Sequence, residues 1–591
     1  MVQEKKENRI GIRTVLNKKE GGSFRFIEPV LNKLTGMSKI RKIYEKNLQG
    51  REESEFIDGV MNMLNVSFSL DPEELNRIPK EGPVIVVANH PFGAHDAILM
   101  ASLLKEIRDD YKIMANGFFS AINELQDRLI LVNAFKSKNS ENRNSLRESV
   151  RFLKEGGILG VFPSGTVSHY DFKKKCVTDP EWSETIAGLV QLSGATVVPV
   201  HFSGRNSLRF NLAGMVHPAL RTAFLPREMM KRKNEIKVHI GHPVDNSYLC
   251  NMKDRKQMTD YIRMRCYLQK EQIEEAHDSG SLSNSVPVID QVHEVLLQDD
   301  IDNLNDDDKM LDFKDYSVYC TKAEKIPSVM REIGRLREIT FREVGEGTGK
   351  ALDLDEYDEY YLQLFIWNRE TKEVVGAYRI GEVCSYHQRN MLYTNEFYDL
   401  NREFFQEYSP GLEMGRSFVR KEYQRKPYSL MLLWKGICEY VARNPRYRYL
   451  FGAVSVSSEY STKSRGLIAN LLVDKEGKLK SKMPATIELN GELKDYCRKY
   501  SIDNPMDISM LVKDVEKDGK DVPVLVKQYM KLGGRFLSFC VDQEFNCTLD
   551  GLIVVDLPGA PEKNLRMYMG DNTDGYLEYH RRSGEGPFQV G

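Results

Sequence analysis

His90 and Asp96 share one strand-to-helix turn, and together they can do acid–base chemistry. Val84-Ile85-Val86-Val87-Ala88 follows Gly82-Pro83 and reads as a buried strand. Asn89-His90-Pro91 breaks the run, Gly93 follows, and an apolar helical pattern begins after Asp96. An aspartate facing an imidazole fixes its tautomer and stabilises the imidazolium formed when the histidine takes a proton. The matching chemistry is removal of a proton from a hydroxyl. An isolated pair of this kind is more often a buried histidine with its partner at a turn. Two later blocks change that balance: Ile158 to Val161 runs into Phe162-Pro163-Ser164-Gly165-Thr166, and Thr196 to Val198 runs into Pro199-Val200-His201-Phe202. His95 with His90 and Asp96 could imitate a metal triad, but Pro91, Gly93 and the later blocks argue against it, and no metal is expected.

The three blocks resemble, in order and wording, the glycerolipid and lysophospholipid acyltransferases. That family carries Asn-His-x4-Asp, Phe-Pro-Glu-Gly-Thr-Arg-Ser and Val-Pro-Val motifs. The resemblance implies acyl transfer from a thioester to a hydroxyl, with His90 as base and Asp96 as its partner. It places Asn89, Gly93, Pro163, Ser164, Gly165, Thr166 and Pro199 at the substrate. Asp96 lies one residue further from His90 than the general pattern, as in the branch that acylates amino-acid lipids. Ser164 replaces the family's Glu and Val167 its Arg, and Asn116 to Ile122 offers no Arg. Those Arg side chains would clamp a phosphate through paired charged hydrogen bonds. Their loss argues against a phosphoglycerol acceptor, although Arg205 or Lys173 to Lys175 could substitute.

A second set lies further on: Arg337 and Phe341, Asp355 and Asp358, Gly376-Ala377-Tyr378-Arg379, then Glu413 and Arg416. It resembles the GNAT-fold N-acyltransferases that draw acyl chains from acyl carrier protein, the acyl-homoserine-lactone synthases and ornithine-lipid N-acyltransferases among them. Pro523 to Phe536, Asp542 and Phe545-Asn546 extend the likeness. An amine must be neutral to attack a thioester, so a nearby carboxylate helps by taking its proton; Glu413 is the candidate. Arg337, Arg379 and Arg416 could bind a substrate carboxylate or a carrier phosphate, or pair with Asp355 and Asp358 as scaffold. Residues three apart on a strand face opposite ways unless a bulge intervenes, and Gly415 could supply one between Glu413 and Arg416. The Arg/Gly-rich coenzyme-A loop of the fold is absent, which favours acyl carrier protein as donor and no other cofactor.

These residues need two α/β domains to position them, and 591 residues with 41% hydrophobic content suffice. The reading is a mobile 1–22, a lysophospholipid-acyltransferase-like domain over 23–275 with a helical lead-in, an acidic linker over 276–312, and a GNAT-like domain over 313–591. The lead-in either packs on the sheet or rests on a membrane. Basic and apolar residues at Leu220 to Lys233 suit contact with anionic lipid. A net charge of -2 gives no field for nucleic acid. No apolar run spans a bilayer, no signal core opens the chain, and nine dispersed cysteines suggest reduced thiols. The two-domain order resembles the fused bacterial ornithine-lipid synthases. It implies a cytoplasmic enzyme peripheral to the inner face of the membrane. Its partners would be acyl carrier protein, an amino acid and a lyso-amino-acid lipid. Ornithine is the acceptor by resemblance, with glycine as the alternative. The rivals are a lysophosphatidate acyltransferase fused to an accessory domain and a non-catalytic carrier-binding scaffold.

Overall fold

The computed structural model describes residues 24–132, 140–207, 210–211, 225–228, 230, 235–252, 254–269, 286–426, 428–474, 479–485, 487, 489, 491–502, 505–516, 518–542 and 547–583. The segment 1–22, Phe545-Asn546, the run 279–285 and most of the basic cluster at 220–233 lie outside the described residues. The chain forms two compact units. One is Met1–Ile273 with Asn490–Ser501, and the other is Glu274–Leu489 with Ile502–Gly591.

The first unit opens with helices Phe24–Leu34, Met37–Asn47 and Glu53–Leu64. Met37, Tyr44, Phe56, Ile57 and Val60 enter the same core as Val84, Val86 and Val198, so the lead-in packs on the sheet. The strands are β1 Phe68–Ser69, β2 Val84–Ala88, β3 Tyr111–Asn116, β4 Leu129–Val132, β5 Ile158–Val161, the hairpin β6 His169–Asp171 and β7 Cys176–Thr178, β8 Thr196–Phe202 and β9 Ile236–Ile240. The main sheet runs β1-β9-β8-β2-β5-β3-β4 and is parallel except between β8 and β9. Strands covered on both faces are apolar throughout, which is why β2 reads as an unbroken β-branched run. Each such buried side chain contributes roughly 1.5–3 kcal/mol. Val87 pairs with both Val161 and Pro199. That register sets the carboxyl ends of β2, β5 and β8 side by side, where open α/β sheets bind ligands.

The second unit carries β10 Lys309–Phe313, β11 Tyr316–Lys322, β12 Leu362–Asn368, β13 Glu373–Val383, β14 Gly411–Val419, β15 Tyr449–Val456, β16 Arg535–Asp542 and β17 Thr548–Asp556. The sheet order is β10-β11-β12-β13-β14-β15-β17-β16, antiparallel except for β14 with β15. That parallel pair holds only from Gly411–Glu413 to Tyr449–Phe451, and then the strands part. The bulge expected at Gly415 falls one residue later. Ala377 pairs with Phe418 and Arg379 with Gly415, so Arg416 and Ser417 oppose one residue, and Arg416 takes φ 48°. Residues 286–312, within the span expected as linker, fold into this unit. Leu297 and Ile301 enter its core. Asp300 Oδ2 accepts from Ser328 and Val329 N–H at 2.6 and 2.8 Å, capping helix Pro327–Glu343. An acidic run here does helix-terminus work. Among the described residues no disulfide links any of the nine cysteines.

Candidate active sites

In the first unit the turn after β2 is built around one carboxylate oxygen. Asp96 Oδ2 lies 2.9 Å from His90 Nδ1 and accepts from Phe92 and Gly93 N–H at 2.9 and 2.8 Å. Asp96 is fully buried and the His90 side chain is 17% exposed. With Nδ1 facing the Asp96 carboxylate, Nε2 is the atom left to take a proton. The imidazole packs on Phe162, with ring centroids 4.6 Å apart. Asn89 bridges β2 to the end of β8: its Nδ2 donates to Phe202 O at 3.0 Å and its Oδ1 accepts from Phe202 N at 2.8 Å. Ser168 N donates to His90 O at 2.8 Å, bringing the loop after β5 alongside. Within that loop Ser164 Oγ donates to Thr166 O at 2.9 Å, Gly165 takes φ 62° and Pro163 O accepts from Ser183 N. Pro199 lies buried inside β8, a sheet position and not a rim one.

Gly93 has φ 85° and ψ -121°, and a Cβ there would lie 2.8 Å from Leu225 Cδ1. Gly93→Ala is therefore expected to destabilise the first unit by about 1–3 kcal/mol. A denaturant melt reads this out, and an unchanged midpoint would refute it.

Asp179 ties these loops together, although no sequence motif marks it. Its Oδ1 accepts from His90 N at 3.2 Å and from the Ser168 hydroxyl, and its Oδ2 accepts from Trp182 Nε1 at 2.9 Å. Burial pushes its carboxyl above the usual range, against the pull of the Ser168 and Trp182 donors.

In the second unit the parting of β14 and β15 opens a cavity of about 800 Å³, lined by Glu413, Gly415, Arg416, Tyr393, Thr394, Gln424, Arg425, Lys426, Glu346, Asp542 and Asp550 among others. A Cβ on Gly415 would meet open space. Glu413 is 1% exposed, and both its oxygens are engaged: Oε1 accepts from Thr394 N at 2.7 Å and Oε2 from the Tyr361 hydroxyl. Burial raises its carboxyl, opposed by those donors.

Arg337, Arg379, Asp355 and Asp358 take the scaffold option. Arg337 is fully buried and donates to Asp358 Oδ1 at 2.9 Å and Gln363 Oε1 at 3.0 Å. Arg379 pairs with Asp355 and, at 3.4 Å, with Asp358. Arg416 continues the chain to Asp355 at 3.3 Å and Asp353 at 3.5 Å, and of the set it alone lines the cavity. A buried arginine needs such partners, because an unpaired buried charge is costly.

The cavity lining also carries three carboxylates, Glu346, Asp542 and Asp550. Asp550 on β17 pairs across to Ser455 on β15, whose hydroxyl donates to Glu346 Oε2 at 2.8 Å. Asp542 pairs with Thr548, two residues before Asp550 and so on the same face. Asp550 Oδ1 accepts from the Thr548 hydroxyl at 3.3 Å. Burial, with repulsion from Asp542 and Glu346, pushes the Asp550 carboxyl up to about 8. Glu346 rises to about 7, mainly through burial. The signal available in the sequence was an aspartate inside the apolar run Leu549 to Val555.

Comparison with known proteins agrees with both halves. Residues 35–276 match the family described as acyltransferase, and residues 336–435 match the acetyltransferase (GNAT) domain. The glycine N(alpha)-acyltransferase of Phocaeicola vulgatus is 35% identical over 254 residues, 39% of this chain and 78% of its own length. That of Bacteroides thetaiotaomicron is 33% identical over 258 residues, 40% of this chain and 76% of its own. The lyso-glycine lipid O-acyltransferase of Phocaeicola vulgatus is 22% identical over 266 residues, 43% of this chain and 92% of its own. Fold and sites thus define an acyltransferase enzyme with two acyltransferase domains. The chain belongs to the family of the two glycine N(alpha)-acyltransferases, and its residues 35–276 match the acyltransferase family as well.

Proposed function

We propose that the chain makes a phosphorus-free amino-acid lipid by two consecutive acyl transfers. The observation that carries this reading is that one chain resembles both an N-acyltransferase and an O-acyltransferase of the same lipid type. The second unit joins a 3-hydroxyacyl chain to the amine of glycine. The first unit then esterifies the 3-hydroxyl of that chain. Ornithine is the second reading, favoured by the acidic wall of Glu346, Asp542 and Asp550, which would suit a further cation.

In the O-acyl step His90 Nε2 takes the hydroxyl proton as the oxygen attacks the thioester carbonyl. The proton passes to the departing thiolate. Asp96 steadies the imidazolium. An apolar cavity of about 170 Å³ beside Ala94 and Ile98, walled by Ile40, Tyr44 and Phe56, offers room for part of an acyl chain.

In the N-acyl step Asp550 takes a proton from the amine as its nitrogen attacks the thioester carbonyl; the C–S bond breaks and the proton passes to the departing thiolate. An acid near 8 exchanges protons with an amine more readily than an ordinary carboxylate does. Glu413, occupied at both oxygens, holds Thr394 at the cavity wall and ties it to Tyr361 behind. The donor is acyl carrier protein. Arg425 and Lys426 at the cavity mouth precede helix Ser429–Arg443, whose amino terminus favours a phosphate such as that of phosphopantetheine. No described helix is long and apolar enough to cross a membrane. The enzyme works at the inner face of the cytoplasmic membrane, where its product belongs.

Expression in a host lacking amino-acid lipids, followed by mass spectrometry of the lipid extract, tests the proposal. A two-chain, phosphorus-free glycine lipid is expected. Phosphatidate in its place, or no new lipid, would overturn it, and an ornithine lipid would select the second reading.

A further inference from the structure

Helix Gly491–Tyr500 comes late in the chain, between β15 and β16, yet it belongs to the first unit. Leu493, Tyr496 and Cys497 are buried there, and Tyr496 packs on Tyr261 of helix Arg255–Leu268 with ring centroids 5.7 Å apart. Lys499 Nζ and the Tyr500 hydroxyl both reach Asp260 Oδ2, at 2.6 and 2.7 Å. Glu492 is bound at both oxygens, by Lys174 Nζ at 2.6 Å and by Arg263 Nη1 at 2.5 Å. Burial works against the Glu492 charge, but Arg263 and Lys174 hold its carboxyl below the usual value.

Arg263 carries the connection inward. Its Nη2 donates to Thr178 Oγ1 at 2.9 Å and to Asp179 O at 3.2 Å. Its guanidinium lies 4.7 Å over the ring of Tyr267, whose hydroxyl accepts from Asp179 N at 2.7 Å. The backbone of Asp179 is thus gripped at its carbonyl and at its N–H. The Asp179 carboxylate in turn accepts from the backbone N–H of His90. The O-acyltransfer turn is held by a relay whose outer end is Glu492.

We propose that Glu492 is a positioning residue for the O-acyl step, acting through Arg263 and Asp179 on the backbone of His90. A segment flanked in sequence on both sides by the second unit then supplies a part that the O-acyltransferase needs. This rests on the proposed function for the identity of the reaction, but not for the relay itself. Glu492 touches neither thioester nor hydroxyl, so its loss acts on turnover and not on substrate affinity.

The test uses the full chain with Glu492→Gln, which keeps shape and removes charge, and Glu492→Asp, which keeps charge. Loss of a charged hydrogen bond of this kind is worth about tenfold. With monoacylated amino-acid lipid supplied, Glu492→Gln is expected to lower kcat for O-acylation about tenfold, with KM within about twofold. Amide formation should be unchanged, and Glu492→Asp should recover much of the loss. Unchanged kcat, or a parallel fall of both activities, would overturn the inference. A second measurement is independent of any activity. Hydrogen exchange at the His90 amide should quicken about tenfold in Glu492→Gln at a pH where the chain stays folded. Equal protection in both proteins would overturn the relay whatever the reaction proves to be. Wild-type enzyme that makes no O-acylated product would instead count against the proposed function, with the exchange result still deciding the relay.

Discussion

Asp550→Asn is expected to slow amide formation by about a hundredfold or more while raising the melting temperature. Loss of a general base typically costs about 10²–10⁴ in rate. The gain in stability follows from the same carboxyl. Its folded value of about 8 lies far above that of an unfolded aspartate, because the site is buried and faces Asp542 and Glu346. The fold pays nothing for it below the unfolded pKa, where both states are protonated. The penalty grows as pH rises from there and is complete above about 8. The melting advantage of the Asn variant should therefore widen from acid to pH 8 and then level off. In the wild type, amide formation should rise with pH through the same region as Asp550 ionises, and the variant should lack that limb. Glu413→Gln provides the contrast. A glutamine can accept from Thr394 N or from Tyr361 but not in the carboxylate's manner from both, so one donor is stranded. A loss of roughly tenfold is expected, with the limb near 8 kept. If the Gln variant lost that limb and the Asn variant kept it, Glu413 would be the base.

His90→Ala is expected to abolish the O-acyl step, by about a hundred to ten thousand-fold, and to spare the amide step. His90 Nδ1 is tied to Asp96, so its free nitrogen is the proton acceptor at that turn. Removing the ring also takes the imidazole away from Asp96 Oδ2, but the Phe92 and Gly93 N–H groups still hold the turn. Monoacylated lipid, with one amide-linked chain, should accumulate in cells. Diacylated product at the wild-type level would end the assignment.

Much of the first site was legible because its parts are local. β2, β5 and β8 are continuous apolar runs, each followed at once by its turn residues. The parallel register then brings these turns together without further instruction. The Asp179–Arg263–Glu492 relay left no such trace, since its members are far apart in sequence and meet only by packing. In the second unit Glu413 and Arg416 are visible as a pair, but the sequence points to Gly415 for the bulge, which falls at Arg416–Ser417. Glycine is the usual tenant of left-handed backbone, whereas here Arg416 adopts it, held by Asp353, Asp355 and Tyr393. The arginine set could be read as substrate-binding or as scaffold from spacing alone. Burial of Arg337 and its Asp358 and Gln363 partners is what separates the two. The acidic stretch near 300 read as linker because a charge run is usually solvated, and nothing local announces that Asp300 caps a helix.

The discontinuous first unit has a consequence for biosynthesis. A chain leaves the ribosome amino terminus first, and Glu274–Leu489 must be made before the helix at Gly491–Tyr500 exists. At about 5–20 residues per second, that interval lasts roughly 10–45 s. During it the surface of Arg255–Leu268 that receives Tyr496 is uncovered, and Arg263 has no Glu492 to meet. The His90–Asp96 turn is therefore completed only after most of the second unit has been synthesised. A nascent or truncated chain would carry the His90–Asp96 pair without Glu492 as its outer brace until most of the second unit has been made.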